Sequence, residues 1–202
     1  MSEPTELQTQ VMIIGGGPVG LCLAVDLGRR GIDCVVLERR QDGDSTFPTA
    51  NHISARTMEH LRQVGLSQDV RSAFRADWGG DVVALTHIGG HEVARIEDAL
   101  AETTPRSDSP EGEIWAPKPY FDPILLNAAK EMPQVDVRFG TTVDTISQDE
   151  NAVSCKARDR HGNTLTIRSS FAVGCDGAAS GTRDSLGIEL LEPEPSRSFW
   201  AK

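Results

Sequence analysis

The apolar run that ends at Ile14 feeds into Gly-Gly-Gly-Pro-Val-Gly, residues 15–20, whose last three residues open the helix-like stretch PVGLCLAVDLGRRG, and no other feature restricts the fold as tightly. Gly15, Gly17 and Gly20 have the spacing GxGxxG. Between a strand and a helix, the first glycine of such a set permits a tight turn. The second lets the backbone approach a pyrophosphate, and the third lets helix and strand pack closely. The unpaired N–H groups of the helix start, with the helix dipole behind them, complete an anion cradle.

The flanks agree with this reading. Pro18 suits a first helical position, where its missing N–H costs nothing. Gly31 suits a left-handed C-terminal stop, and Arg29 and Arg30 complement the dipole in the last turn. DCVVLE then reads as a buried second strand closing on Glu38, eighteen residues beyond Gly20. An acid there accepts hydrogen bonds from ribose hydroxyls and repels a 2′-phosphate. Strand, turn, helix and strand make a βαβ unit, so the expected class is α/β with a parallel sheet.

Composition narrows the partners. Thirty acidic and twenty basic side chains leave a formal charge of −10, which repels a nucleic-acid backbone. No apolar run approaches a membrane span, and the polar start MSEPTELQTQ lacks the order of a signal peptide. The expectation is a cytoplasmic protein without nucleic-acid or membrane partners. Cys22, Cys34, Cys155 and Cys175 stand singly, without metal or CxxC spacing, and read as reduced structural thiols. No metal site is expected, since His87 and His91 flank a Gly-Gly turn with no third ligand nearby.

Further on, SARTMEHLRQVG carries Met58, Leu61 and Val64 on one helical stripe with Gly65 as a stop. DVVALTHI and HEVARI flank Gly89-Gly90 as a hairpin, expected to lie outside the βαβ sheet. Asp122 and Pro123 read as N-cap and first residue of a helix over DPILLNAAKEM, and residues 135–173 read as β throughout.

Two later segments point to a family. TANHISARTMEHLRQVGL resembles the helix after the second strand of the flavoprotein aromatic hydroxylases, typified by para-hydroxybenzoate and phenol hydroxylases. GCDGAASGTRDSLGI resembles that group's DGxxSxxR pattern through Asp176, Gly177, Ser180 and Arg183. The three motifs follow in the family's order over residues 11–188.

The resemblance implies a Rossmann-like FAD-binding fold with a parallel sheet, inserted β-rich segments and the beginning of a substrate domain. Residues 1–77 and 117–187 would form a discontinuous FAD domain, with 78–116 and 188–202 in a partial substrate domain. It assigns FAD to Gly15, Gly17, Pro18, Val19, Gly20, Glu38 and Arg39. Arg56 would reach the phosphates, the Val143 backbone the adenine, and Asp176 and Gly177 the pyrophosphate and ribityl chain. Arg183 is expected to brace its own loop.

The complete protein would be a monooxygenase that uses FAD, NADH or NADPH and dioxygen to hydroxylate an aromatic substrate, phenolic or polyketide-like. No catalytic acid or base is identified.

Three departures accompany the resemblance. Thr49, Ala50 and Asn51 stand where many relatives carry a basic residue, and Lys118 where many carry a glutamine. Lys118 still offers a point charge to a phosphate. The family's second flavin motif, GDAAH, does not occur, so the expectation is a fragment or a chain completed by a second polypeptide, with homo-oligomerisation as another route. Two readings of other classes stay open: a noncatalytic or partner-dependent flavin-binding fragment, and a plain NAD(P)-dependent reductase.

Overall fold

The structure is a computed structural model that describes residues 5–44, 50–73, 80–97, 99 and 108–191. Its main sheet has six strands in the order β5-β2-β1-β8-β7-β6. β1 (Thr5–Ile14) is central, parallel to β2 (Cys34–Glu38) on one side and to β8 (Thr164–Gly174) on the other. β5 (Val135–Phe139) extends the parallel part beyond β2. β6 (Thr142–Gln148), β7 (Val153–Arg158) and β8 form an antiparallel meander.

Period-two alternation divides β1 and β2 between two cores. Val11, Ile13, Cys34 and Val36 face the helices, where they meet Leu21, Ala24 and Val25 of α1 (Pro18–Arg29). Met12, Ile14, Val35 and Leu37 face the other way, onto Cys155, Ala157, Leu165 and Ile167 of the meander. Burial on both faces explains why these strands read as unbroken apolar runs.

α2 (Ala55–Gln63) is capped by Ser54, whose hydroxyl accepts from the Thr57 amide, and it buries Met58 and Leu61 as its stripe predicts. A short helix absent from the sequence reading, α3 (Ser67–Ala73), follows it. The expected hairpin forms as β3 (Val82–Leu85) and β4 (Glu92–Ile96), an antiparallel pair in a two-stranded sheet of its own.

Two boundaries are corrected. β1 is longer than its apolar part, because its polar first half pairs with β8 from Thr5↔Leu165 onward. The helix assigned to DPILLNAAKEM is α4 (Lys118–Lys130) and starts before Asp122, with Pro123 inside it. Pro117 at its N-cap and Pro119 in its first turn begin the helix, and the Tyr120 and Phe121 amides bond back to the Pro117 carbonyl. Among the described residues, no helix is long and apolar enough to cross a membrane.

Candidate functional site

The glycine turn sits at the carboxyl end of β1, and three of its four glycines press against different neighbours. Gly15 has φ +110°, and a Cβ there would lie 2.3 Å from the Cys175 carbonyl oxygen. The turn is thus pressed against the exit of β8. A Cβ on Gly20 would lie 2.0 Å from the Gly15 oxygen, so α1 can begin only if that position is bare. A Cβ on Gly16 would meet the Glu38 Cβ at 2.8 Å.

Gly17 differs from the rest. A Cβ on it would meet nothing within 4 Å. It is the N-cap of α1 and gives no side-chain cap, while Pro18 has no N–H. The helix start is thus without a side-chain cap, and the space beside Gly17 is open, which leaves its backbone approachable by a pyrophosphate. Val19, in the same turn, is 70 % exposed.

Glu38 is buried at the end of β2. Its Oε2 accepts from the Gly16 amide at 2.7 Å, and its Oε1 from the Arg40 amide at 2.9 Å. The Arg40 guanidinium adds Nε to Oε1 at 3.1 Å and Nη2 to Oε2 at 3.3 Å. Burial alone would raise the pKa of Glu38, but the bonds from Arg40 and Gly16 outweigh it and hold the carboxyl below its ordinary value. Arg39 is exposed, without a hydrogen bond or ion pair to the described residues. The arginine that reaches Glu38 is its neighbour Arg40.

After β5 the chain crosses this strand end. The Gly140 amide donates to the Arg40 carbonyl at 2.7 Å and the Thr141 amide to the Glu38 carbonyl at 2.9 Å. The start of β6 hangs from that crossing and carries half-buried Val143, which pairs with Ala157 beside a register shift.

Asp176 and Gly177 follow β8, Gly177 with φ +84°. The Asp176 carboxylate is engaged within its own loop, accepting from Ser180 Oγ at 2.5 Å and from the Thr182 amide and hydroxyl at 3.0 and 3.1 Å. Partial burial opposes ionisation there, yet those bonds leave its pKa lowered. Ser180 caps α5 (Gly181–Ser185), and Arg183 donates to the Ala178 carbonyl at 2.8 Å, bracing the loop as expected.

Lys118 opens α4. Its amide donates to the Ala50 carbonyl at 3.1 Å, and its Nζ pairs with Asp122 Oδ2. The start of α4 and the turn between β1 and α1 enclose a cleft of about 260 Å³, lined among others by Gly16, Arg40, Asp44, Asp122 and Phe139. Arg56 lies elsewhere, exposed on α2 with its Nη1 2.6 Å from Glu59, beside a separate cleft of about 500 Å³.

The structure thus brings together the glycine turn, Glu38, the exit of β8 at Cys175 and the start of α4, and leaves Arg56 apart. Sequence reading missed Gly16, Arg40 and Asp122. The run of three glycines was the available signal for Gly16, since GxGxxG leaves its second position open. The four cysteines are free. Burial raises the thiols of Cys22, Cys34 and Cys155 to about 11, so they stay protonated at neutral pH.

A parallel sheet with a glycine-turned helix start and a buried acid after the second strand defines a dinucleotide-binding α/β domain. Residues 8–201 match the FAD binding domain family, and the chain belongs to it. It is 33% identical over 198 residues to a tetracenomycin B2 monooxygenase-dioxygenase of Streptomyces olivaceus, covering 90% of this chain and 36% of that protein. It is 32% identical to a 4-methyl-5-nitrocatechol 5-monooxygenase of a Burkholderia species, covering 94% and 34%.

Among solved structures, the rebeccamycin biosynthetic enzyme RebC with reduced flavin superposes with a TM-score of 0.80 at 35% identity, covering 91% of this chain and 35% of that one. The flavin-dependent monooxygenase PieE, in complex with FAD and substrate, gives a TM-score of 0.78 at 30% identity, covering 90% and 32%. The chain spans about a third of the length of these relatives.

Proposed function

We propose that this chain holds the ADP half of FAD within a protein that hydroxylates an aromatic substrate, using NADH or NADPH and dioxygen. The observation that carries the reading is the cradle itself: unobstructed space over Gly17 at an uncapped helix start, beside a carboxylate anchored by the Gly16 amide. The pyrophosphate lies on the amides of Gly17, Val19 and Gly20. The adenosine ribose hydroxyls donate to Glu38, whose depressed pKa keeps it an acceptor at neutral pH. Lys118, at the start of α4, contributes positive charge, and the Val143 backbone faces the adenine.

Asp176 acts by shaping the loop that runs from Gly177 to Thr182, since its carboxylate is committed to Ser180 and Thr182. Arg39 is free to swing over the adenosine. Arg56 reaches a phosphate only by leaving Glu59. When bound, FAD supplies the redox chemistry that links a nicotinamide to dioxygen, and this chain's share is binding and orientation.

The names of relatives support the substrate class: nitrocatechol, 2,4-dichlorophenol and phenol monooxygenases, and a polyketide hydroxylase. We assign residues 1–77 and 117–187 to the FAD domain and 78–116 and 188–202 to a partial substrate domain. The protein is assigned to the cytoplasm, with a second copy or a C-terminal partner chain as its associate.

The test is reconstitution of the full-length protein with FAD, followed by NADH or NADPH oxidation with and without a panel of phenols. Phenol-stimulated oxidation coupled to hydroxylated product is expected. A protein that takes up no flavin would contradict it.

A further inference from the structure

Glu38 presents a problem that the cofactor reading does not solve. A carboxylate has about four acceptor positions. Here all four are filled: Oε1 by the amide and Nε of Arg40, Oε2 by the Gly16 amide and Arg40 Nη2. The two backbone donors are fixed by the turn and the strand end. The two guanidinium donors occupy one position on each oxygen, which is what a pair of ribose hydroxyls would need. Arg40 Nη2 also lies 3.4 Å from the Gly16 carbonyl, so the guanidinium lies over the glycine turn. A ribose therefore cannot dock on Glu38 while the Arg40 side chain stays.

The same cleft holds a place for that side chain to go. Asp122 lines it together with Arg40. Its Oδ2 is taken by Lys118, but its Oδ1 is buried with no hydrogen-bond partner among the described residues. An unsatisfied carboxylate oxygen is costly unless a donor reaches it. Asp122 and Asp44 both act electrostatically on the Arg40 guanidinium. Asp44 is exposed, so water can satisfy its carboxylate, whereas the buried Asp122 Oδ1 has no such supply, which makes Asp122 the better receiver. Arg40 is about a third exposed, so its side chain can pivot without opening the core.

We propose that Arg40 is the gate of the dinucleotide site: its guanidinium covers Glu38 in the empty chain and moves to Asp122 when the adenosine ribose binds. This rests on the assignment of Glu38 to the ribose. Arg40 is a positioning residue, since its effect passes through the acceptor positions of Glu38. The gate also favours ligands carrying both ribose hydroxyls, because each replaces one guanidinium donor.

The test is calorimetric titration of the full chain with ADP, in the parent, Arg40→Met, Asp122→Asn and the double variant, each checked for an intact fold by thermal melting. Arg40→Met keeps the apolar stem and removes the donors. It is expected to bind ADP about tenfold more tightly and to lose part of the discrimination against 2′-deoxy-ADP. Asp122→Asn is expected to weaken binding in the parent and to have no effect once Arg40 is Met, the non-additivity of a coupled pair. Weaker binding by Arg40→Met, with normal binding by the parent, would overturn the gate and leave the ribose assignment standing. If neither parent nor variants bound ADP, both would fall.

Discussion

At the scale of single residues, the site rests on which glycines are bare for the protein's sake and which for a ligand's. Gly20 faces backbone: a Cβ there would sit 2.0 Å from a carbonyl oxygen, an overlap that no rotamer relieves. Gly17 faces open space. Gly20→Ala is therefore expected to cost about 2 kcal/mol or more of stability, within or above the usual range for overpacking. Gly17→Ala should cost within about 1 kcal/mol, as an N-cap change does, while weakening FAD binding markedly. Thermal melts and flavin titration of the two variants separate the cases, and equal behaviour would refute the distinction.

Glu38 adds a pH dependence. Its folded pKa lies below the unfolded value of about 4.3. Its contribution to stability is thus complete above that unfolded value and disappears as pH falls through the folded one. Glu38→Gln should flatten the acid limb of stability against pH. An acid limb identical to the parent's would show that Glu38 contributes nothing there.

At the scale of elements, the turn at Gly15, helices α1 and α2 and the hairpin were legible because each carries a local signal: a bare turn, an apolar stripe or a glycine pair. The start of α4 was not. Pro123 reads as a first helical residue because an interior proline forfeits a backbone bond. Here Pro117 and Pro119 preset the first turn, and Pro119 and Pro123 both line the cleft.

Arg40 could not be told from Arg39 by sequence, since adjacent strand-end residues point oppositely and only the register decides which one turns back. The partners of Asp176 were also hidden, because Ser180 and Thr182 close a loop whose geometry no spacing reveals. Ser180 both caps α5 and binds Asp176, so Ser180→Ala is expected to cost about 1 kcal/mol, the usual worth of an N-cap. It should affect flavin binding in the same direction as Asp176→Ala, with the double variant little worse than either. Additive losses would mean that Asp176 touches the cofactor itself.

At the scale of the whole molecule, one sheet serves two cores, with helices on one face and the meander on the other, and the glycine turn, Glu38 and Cys175 lie where β1, β2 and β8 end. Several large apolar side chains remain uncovered, among them Phe171, Leu186 and Ile188, and Val82, Val93 and Ile96 of the hairpin. Exposed apolar groups of this number favour association. Sedimentation velocity of the 202-residue chain is expected to show concentration-dependent self-association, and a monomer at all concentrations would contradict that.

The central claim is that the end of β2 and the start of α1 bind the adenosine and pyrophosphate of a dinucleotide. It is tested most directly by titrating the parent and Glu38→Gln with FAD under identical salt and pH. Saturable binding by the parent and a loss of about 1–3 kcal/mol in the variant are expected, the range for a hydrogen bond to a charged group. Indistinguishable affinities in two equally folded proteins would remove Glu38 from the site and contradict the account.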